Sequence, residues 1–261
     1  MTERNKAAIL VVDMQEDFCP PVSPSPIAPT TATNNLQNGS LAVNEGRSIV
    51  PVINTLLSLA GFTIRIATQD YHPPNHISFA PNHPPPNNRP FESSIQMKNP
   101  APDKQAETKL QQLWPAHCVS GTPGASLIPE LDTSRIDLYV KKGMDARVEM
   151  YSAFADAFGN LDPHHLSFSE ETGDGRPVDV DLKAVLREKG VRDVFVIGLA
   201  GDYCVKCTAV DAVKAGFRGF VVEEGMRCVV PEGWEEVKRE LRDAGVCVVG
   251  MDGPEISRLR L

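Results

Sequence analysis

The chain has 261 residues, of which 41% are hydrophobic, and its formal net charge is −8 at pH 7. This length suffices to bury a large core in one α/β domain or in two small ones. The acidic charge argues against nucleic acid or an anionic membrane surface as the main partner, because both require a basic face. No apolar run approaches the length of a membrane span, and the N-terminal residues lack a signal-peptide core. We therefore expect a cytoplasmic protein whose six cysteines are free thiols.

Six short apolar runs, rich in β-branched residues, are predicted to be strands buried in a sheet. They span residues 7–12, 62–67, 136–140, 194–199, 217–222 and 246–249. Apolar positions at helical spacing predict helices over residues 44–60, 125–131, 180–189 and 232–244, and a helix that starts close to residue 202. Residues 151–158 are a further helical candidate. This alternation predicts an α/β fold with one doubly wound, mostly parallel, six-stranded sheet and helices on both faces.

Three stretches interrupt the alternation. Residues 19–44 are rich in Pro, Ser, Thr and Asn, residues 81–113 are rich in proline, and residues 159–177 are polar. The first has no usable period, the second has few apolar anchors between its prolines, and the third has a charged, glycine-bearing centre, all of which indicate loops. We predict a single domain over residues 1–261 with loop insertions at these three positions.

Four polar side chains follow four different predicted strands. They are Asp13, Asp70, Lys142 and Cys204. The carboxyl ends of parallel strands meet at one edge of a sheet, and ligands bind there where the strand order reverses. We therefore expect these side chains to form one site.

Cys204 lies where the fourth predicted strand turns into a helix. Gly198 and Gly201 permit a tight turn, and Asp202 is placed to cap the helix. A thiol in the first helical turn meets unpaired N–H groups and the positive end of the helix dipole, which favour the thiolate and could hold an oxyanion. Two alternatives remain open: an inert buried cysteine, or a Cys204-x-x-Cys207 pair that serves redox chemistry or forms half of a zinc site.

The other two strand-end groups complement this thiol. The ammonium of Lys142 favours thiolate, and the carboxylate of Asp13 can accept the thiol proton and return it to a leaving amine. Such a set suits acyl transfer from an amide through a thioester. Taken singly, each group has an ordinary alternative role in a turn or a solvated loop.

A second group of residues has the composition of a metal site. Asp70 and His72 lie on one loop, and His117 arrives from the far end of the proline-rich stretch. One carboxylate and two imidazoles suit zinc or another divalent transition metal. His76 is either a fourth ligand or a group that supports the ligands, and we favour the second role. The alternative is that these histidines are solvated loop residues.

Six motifs carry a resemblance to a known family. They are Val-Val-Asp13-Met-Gln-x-Asp-Phe, Asp70-x-His72-Pro-x-x-His76-Ile-Ser-Phe, Trp114-Pro-x-His117-Cys-Val, Lys142-Gly, Tyr151-Ser-Ala-Phe and Gly198-x-Ala-x-x-Tyr-Cys204-Val. In this order they resemble the nicotinamidases of the isochorismatase-like hydrolase superfamily. The resemblance implies hydrolysis of nicotinamide to nicotinate and ammonia in NAD salvage. It also implies a catalytic triad and a metal site, with Zn²⁺ as the expected ion and water completing its coordination: Asp13, Lys142 and Cys204 for the triad, and Asp70, His72 and His117 for the metal.

The resemblance further implies a substrate pocket. Phe18 and Trp114 would form the aromatic walls around the pyridine ring, and Tyr151 would line it. A cis peptide before Ala200 would turn the N–H groups of Ala200 and Cys204 toward the oxyanion. The expected partner is thus a small molecule, and the sequence leaves formation of a homo-oligomer open.

Two other functions compete with this one. A cysteine amidohydrolase of the same superfamily that acts on a carbamoyl or ureido substrate would keep the Asp, Lys and Cys but generally lacks Asp70-x-His72 with His117. A non-catalytic metal-binding or redox protein would instead use Cys204 and Cys207.

Overall fold

A computed structural model of the chain describes residues 6–21, 39–160 and 178–260. The central part of the first predicted insertion and nearly all of the third lie outside the described residues. None of the helices in the described ranges is both long enough and apolar enough to cross a bilayer.

The main sheet contains six parallel strands, and a separate two-stranded antiparallel sheet lies in the proline-rich stretch. In chain order the strands are β1 (Lys6–Val12), β2 (Phe62–Asp70), β3 (Ser94–Lys98), β4 (Thr108–Gln112), β5 (Leu138–Lys142), β6 (Val191–Leu199), β7 (Arg218–Arg227) and β8 (Cys247–Val249). The α-helices are α1 (Val50–Leu57), α2 (Leu182–Glu188), α3 (Lys206–Lys214), α4 (Trp234–Asp243) and α5 (Pro254–Ser257). The order across the main sheet is β5-β2-β1-β6-β7-β8.

Alternate residues of β1 enter two separate hydrophobic cores. Ala8, Leu10 and Val12 face the core that holds buried residues of α2, α3 and α4. The residues between them face the core that holds buried residues of α1 and α5. Because successive strand residues point to opposite faces, a strand covered on both sides reads as a continuous apolar run. The predicted doubly wound sheet with helices on both faces is therefore confirmed.

The strand order reverses between β1 and β6. From β1 the chain moves through β2 to β5 on one side, whereas β6, β7 and β8 lie on the other. At this reversal the loops diverge and leave a crevice beyond the carboxyl ends of the strands. Asp70 and Lys142 are paired neighbours at the ends of β2 and β5, so the topology brings them to the same edge.

Two predicted helices are wrong. Residues 125–131 contain only the end of a short 3₁₀ turn, Pro123–Ala125, and residues 151–158 contain no helix. Their apolar side chains are buried in loops, and their backbones bond to distant partners: Ile128 N donates to Met14 O, and Ala153 N donates to Thr208 Oγ1. Tertiary contacts here replace the local hydrogen bonds that a helix needs.

Other boundaries differ from prediction in length. The helix predicted over residues 44–60 is a 3₁₀ turn, Gly46–Ile49, followed by the shorter α1. The proline-rich stretch, predicted as loop, contains the β3–β4 hairpin. The hairpin gave no alternating pattern because β4 is largely exposed on both faces.

Candidate active site

The amine of Lys142 lies at the centre of a buried charge cluster. Its Nζ is 2.5 Å from Asp70 Oδ1, 3.0 Å from Asp13 Oδ2 and 3.6 Å from Cys204 Sγ. It also donates to the carbonyl of Met150 at 3.2 Å. Burial opposes the charge, but Asp13 and Asp70 outweigh it and hold the pKa of Lys142 well above its usual value. Lys142 therefore remains an ammonium and cannot act as the base.

The loop after β1 supplies Asp13 and supports β2. Asp13 has a left-handed backbone (φ 50°), which Asp tolerates better than most residues. Its Oδ1 accepts a hydrogen bond from Thr68 Oγ1 at 2.6 Å. Gln15 binds both backbone groups of Asp70, at 2.8 Å each. Burial raises the pKa of Asp13 to about 6, although Lys142 acts in the opposite direction, so this carboxyl can exchange a proton near neutral pH.

Cys204 lies in a π-helical turn, Gly201–Val205, that connects β6 to α3. Its sulfur and a carboxylate oxygen of each of Asp13 and Asp70 lie within 4.8 Å of one another. Burial raises the pKa of the Cys204 thiol well above its usual value, although Lys142 acts to lower it. The tendency of a helix start to favour the thiolate, expected from the sequence, is opposed here by burial of the thiol. The thiol keeps its proton until a base removes it.

Asp202 does not cap the helix. Its two carboxylate oxygens accept hydrogen bonds from the backbone N–H groups of Val229 and Val230, each at 2.9 Å. The side chain therefore ties the turn that holds Cys204 to the loop that follows β7. This long-range partner, 27 positions away for Val229, could not be read from local capping rules.

Asp70, His72 and His117 form a cluster with the geometry of a metal site. Asp70 Oδ2 is 3.5 Å from His72 Nε2 and 4.0 Å from His117 Nε2. Each imidazole donates from Nδ1 to a carbonyl, of Gly143 at 2.7 Å and of Pro115 at 2.8 Å, which directs Nε2 to the cluster. His72 Nε2 is buried without a hydrogen-bond partner among the described residues.

This donor set fits a divalent cation. One carboxylate and two imidazoles, each oriented by a carbonyl behind it, are typical of zinc sites that also bind water. Burial lowers the pKa of His117 to about 4, so its ring is neutral at pH 7 and able to bind metal. An ion here would also satisfy the unpartnered nitrogen of His72.

Gly143 permits the close approach of His72. The backbone at Gly143 is left-handed (φ 68°), and a Cβ there would lie 2.4 Å from His72 Cε1. Only glycine satisfies both the conformation and the space.

His76 packs behind the cluster. Its Nδ1 is 2.8 Å from Ser78 Oγ and its Nε2 is 3.2 Å from Val148 O, so both ring nitrogens already have protein partners. Its ring lies 4.1 Å from that of His72, measured between centroids. This arrangement favours the predicted supporting role over that of a fourth ligand.

A small cavity opens above the thiol and the metal cluster. Four of its lining residues are those predicted for the substrate pocket, Phe18, Trp114, Tyr151 and Ala200, and Asp70, His117 and Cys204 also line it. Asp13, Lys142 and His72 lie beneath, fully buried. The structure thus brings all ten predicted site residues together, and the peptide before Ala200 is cis.

Five further lining residues were not predicted: Leu41, Val43, Glu149, Tyr203 and Val229. Leu41 and Val43 lie at the end of a stretch without helical or strand periodicity. Val229 follows β7, which ends at Arg227, whereas the sequence predicts that this strand ends at residue 222. Tyr203 precedes Cys204 directly and belongs to the motif Gly198-x-Ala-x-x-Tyr-Cys204-Val, but the motif assigned it no role. Its ring packs edge-on against Trp114, with centroids 5.2 Å apart.

Comparisons with known proteins show which family the chain resembles. The isochorismatase domain family matches residues 168–252. A nicotinamidase of Acinetobacter baylyi is 33% identical over 91% of both chains, and a nicotinamidase of Schizosaccharomyces pombe is 32% identical over 97% of both. The chain belongs to the nicotinamidase family.

Solved structures of nicotinamidases share the whole fold. The yeast nicotinamidase bound to the inhibitor nicotinaldehyde has a TM-score of 0.74 at 30% identity, covering 94% of this chain and 99% of that one. A pyrazinamidase of Pyrococcus horikoshii in complex with zinc has a TM-score of 0.61 at 28% identity, covering 94% and 99%. An N-carbamoylsarcosine amidase from Thermoplasma acidophilum, at 22% identity, has a TM-score of 0.56 over 96% of this chain and 99% of that one. That likeness extends to the fold alone.

Proposed function

We propose that this nicotinamidase-family chain hydrolyses nicotinamide to nicotinate and ammonia through a thioester on Cys204. The observation that carries the proposal is the position of the thiol. Cys204 Sγ lies 3.6 Å from the Lys142 ammonium and within 4.8 Å of the Asp13 carboxylate, at the floor of an aromatic cavity. A cytoplasmic role in NAD salvage remains an expectation.

Acylation begins with proton transfer. The thiol proton passes to Asp13 while the sulfur attacks the carboxamide carbon, and Lys142 compensates the negative charge on sulfur. The N–H groups of Ala200 and Cys204 are the proposed donors to the oxyanion. Asp13 then returns the proton to the amide nitrogen, the C–N bond breaks and ammonia leaves.

Hydrolysis of the thioester repeats the proton transfers. Asp13 takes a proton from water as the water oxygen attacks the thioester carbon. The C–S bond then breaks, the sulfur recovers a proton from Asp13, and nicotinic acid loses its own proton to solvent. Each half-reaction therefore returns Asp13 to the carboxylate.

The remaining residues bind and orient the substrate. Phe18, Trp114 and Tyr151 are proposed to flank the pyridine ring. Asp70, His72 and His117 would hold Zn²⁺, which when bound supplies a Lewis-acidic position for the pyridine nitrogen. The carboxamide would then face Cys204.

Release of ammonia from nicotinamide tests the proposal. Cys204→Ala should lose at least about 1,000-fold in turnover, because the nucleophile is absent. Cys207→Ala, three residues further along in α3 and outside the cavity lining, is the matched control and should remain close to wild type.

Mass spectrometry of a rapidly quenched reaction should find a nicotinoyl group on the peptide that contains Cys204. Turnover retained by Cys204→Ala would exclude the thioester. Equal loss in both variants would instead favour the alternative in which the two cysteines act as a pair.

A further inference from the structure

Glu149 is a buried carboxyl group that the proposed reaction does not use. Its residue is 2% exposed, and its side chain lines the cavity beside Asp70 and His117. Oε1 accepts a hydrogen bond from the backbone N–H of Met150 at 2.8 Å. Oε2 is buried without a hydrogen-bond partner among the described residues.

Burying a carboxylate oxygen without a hydrogen-bond partner lowers the free energy of unfolding. Burial raises the pKa of Glu149, and the charge of His72 is the largest influence that lowers it. None of the described residues donates a hydrogen bond to this oxygen, so we expect a ligand to supply the missing hydrogen-bond donor or positive charge. The position of Glu149 indicates which ligand that is.

Glu149 faces the metal cluster without belonging to it. Its charge interacts with those of His72 and Asp70. Yet Glu149 belongs to neither group of mutually close ligand atoms found in the described ranges, which are Asp70, His72 and His117, and Asp13, Asp70 and Cys204. The carboxylate therefore lies outside the inner set of ligands, where a water molecule bound to the cation would come between them.

We propose that the Glu149 carboxylate accepts a hydrogen bond from a water that completes the coordination of the cation held by Asp70, His72 and His117. This inference rests on the proposed metal site. Three side-chain ligands leave coordination positions for water, and a cation makes its bound water a stronger hydrogen-bond donor. Glu149 thus acts as a positioning residue that increases metal affinity.

Glu149→Gln tests this role with an isosteric change. Because the Met150 N–H requires an acceptor at the Oε1 position, the amide nitrogen takes the place of Oε2. The amide N–H then faces the O–H of the metal-bound water, and because both groups are donors no hydrogen bond forms between them. The Kd for Zn²⁺, measured by competition with a chromophoric chelator, should rise about 10- to 100-fold.

Asp156→Asn is the matched control. Asp156 is also a buried carboxyl with a raised pKa caused by burial, but it does not line the cavity. Its oxygens accept hydrogen bonds from Phe158 N, Asn160 N and Asn160 Nδ2. This variant should lose thermal stability and keep the wild-type Kd for Zn²⁺, whereas metal-free Glu149→Gln should be at least as stable as wild type.

The outcomes separate this inference from the proposed metal site. If wild type binds Zn²⁺ and Glu149→Gln binds it within about twofold, the role of Glu149 is overturned and the site stands. If wild type binds no Zn²⁺, both are overturned. A visible spectrum of the Co²⁺ form that changes in Glu149→Gln as much as in His117→Ala would mark Glu149 as a direct ligand and overturn the water-mediated arrangement.

Discussion

Lys142 gives two similar carboxyl groups different roles. Asp13 and Asp70 both contact its ammonium. Burial raises the pKa of Asp13 to about 6. Burial acts in the same direction on Asp70, but Lys142 and His72 outweigh it and hold the pKa of Asp70 below its usual range. Titratable groups whose environments separate their pKa values are typical of acid–base sites: Asp13 can exchange a proton, whereas Asp70 stays charged.

The pKa of Asp13 predicts the acid limb of the activity profile. Protonated Asp13 cannot accept the thiol proton, so kcat/KM should fall as pH drops below about 6 and should be retained above it. Initial rates of ammonia release between about pH 5 and pH 8 measure this. A flat profile over that range would contradict the assignment of Asp13 as the base.

Gly143 and Gly121 offer a matched pair for the metal site. Both have positive φ, 68° and 75°, but a Cβ at Gly121 meets nothing within 4 Å. Each Gly→Ala change should cost about 1 kcal/mol through the backbone. Only Gly143→Ala displaces His72, so only that variant should bind Zn²⁺ at least about tenfold more weakly. Isothermal titration measures both affinities, and equal values would remove His72 from the site.

At the scale of elements, the turn between β6 and α3 is fixed from outside itself. Asp202 connects it to the loop after β7, and Val229 of that loop lines the cavity. The position of Cys204 and the shape of the pocket therefore depend on the same side chain.

Asp202→Ala should affect substrate binding as well as stability. Loss of two hydrogen bonds should cost about 1–3 kcal/mol and loosen the wall at Val229, so KM for nicotinamide should rise several-fold. Asp181→Ala is the control, since Asp181 caps α2 by accepting from Ala184 N. It should cost roughly 1 kcal/mol and leave KM unchanged. Denaturant titration and steady-state rates measure the two effects.

The strands could be predicted more reliably than the short helices. β1 and β6 are covered on both faces, so residues 7–12 and 194–199 are continuous apolar runs and the pattern is unambiguous. Residues 125–131 and 151–158 have apolar positions at helical spacing, but distant partners take their backbone groups. Such partners leave no trace in local spacing.

The whole molecule assembles its site from separate parts of the chain. Asp13, Asp70, Lys142 and Cys204 could be grouped from the sequence because parallel strands place their ends at one edge. Glu149 and Val43 could not be grouped in this way. Each lies in a segment without helical or strand periodicity, and only the course of a loop in the folded chain brings it to the cavity. The single-domain organisation and the catalytic roles stay predictions.

A bound cation should stabilise the entire fold. An ion that binds only the folded state adds about 2.7 kcal/mol at 100 times its Kd, which for a chain of this size is about 5–10 °C in Tm. Differential scanning calorimetry with Zn²⁺ and with a chelator measures the shift. His117→Ala should show no zinc-dependent change, and an equal shift in that variant would place the ion elsewhere.

The contacts of Lys142 also bear on how the protein is made. Its amine meets Asp70 across 72 positions and Cys204 across 62. Contacts between residues so far apart in sequence form slowly, because the chain loses the entropy of closing a long loop before the contact contributes any stabilising energy. A nascent polypeptide that has not yet emerged as far as β6 holds Asp13 and Lys142 but not Cys204, so an unfinished product lacks the proposed nucleophile. In refolding, ammonia production should therefore return only with the docking of β6 against β1, later than the first collapse.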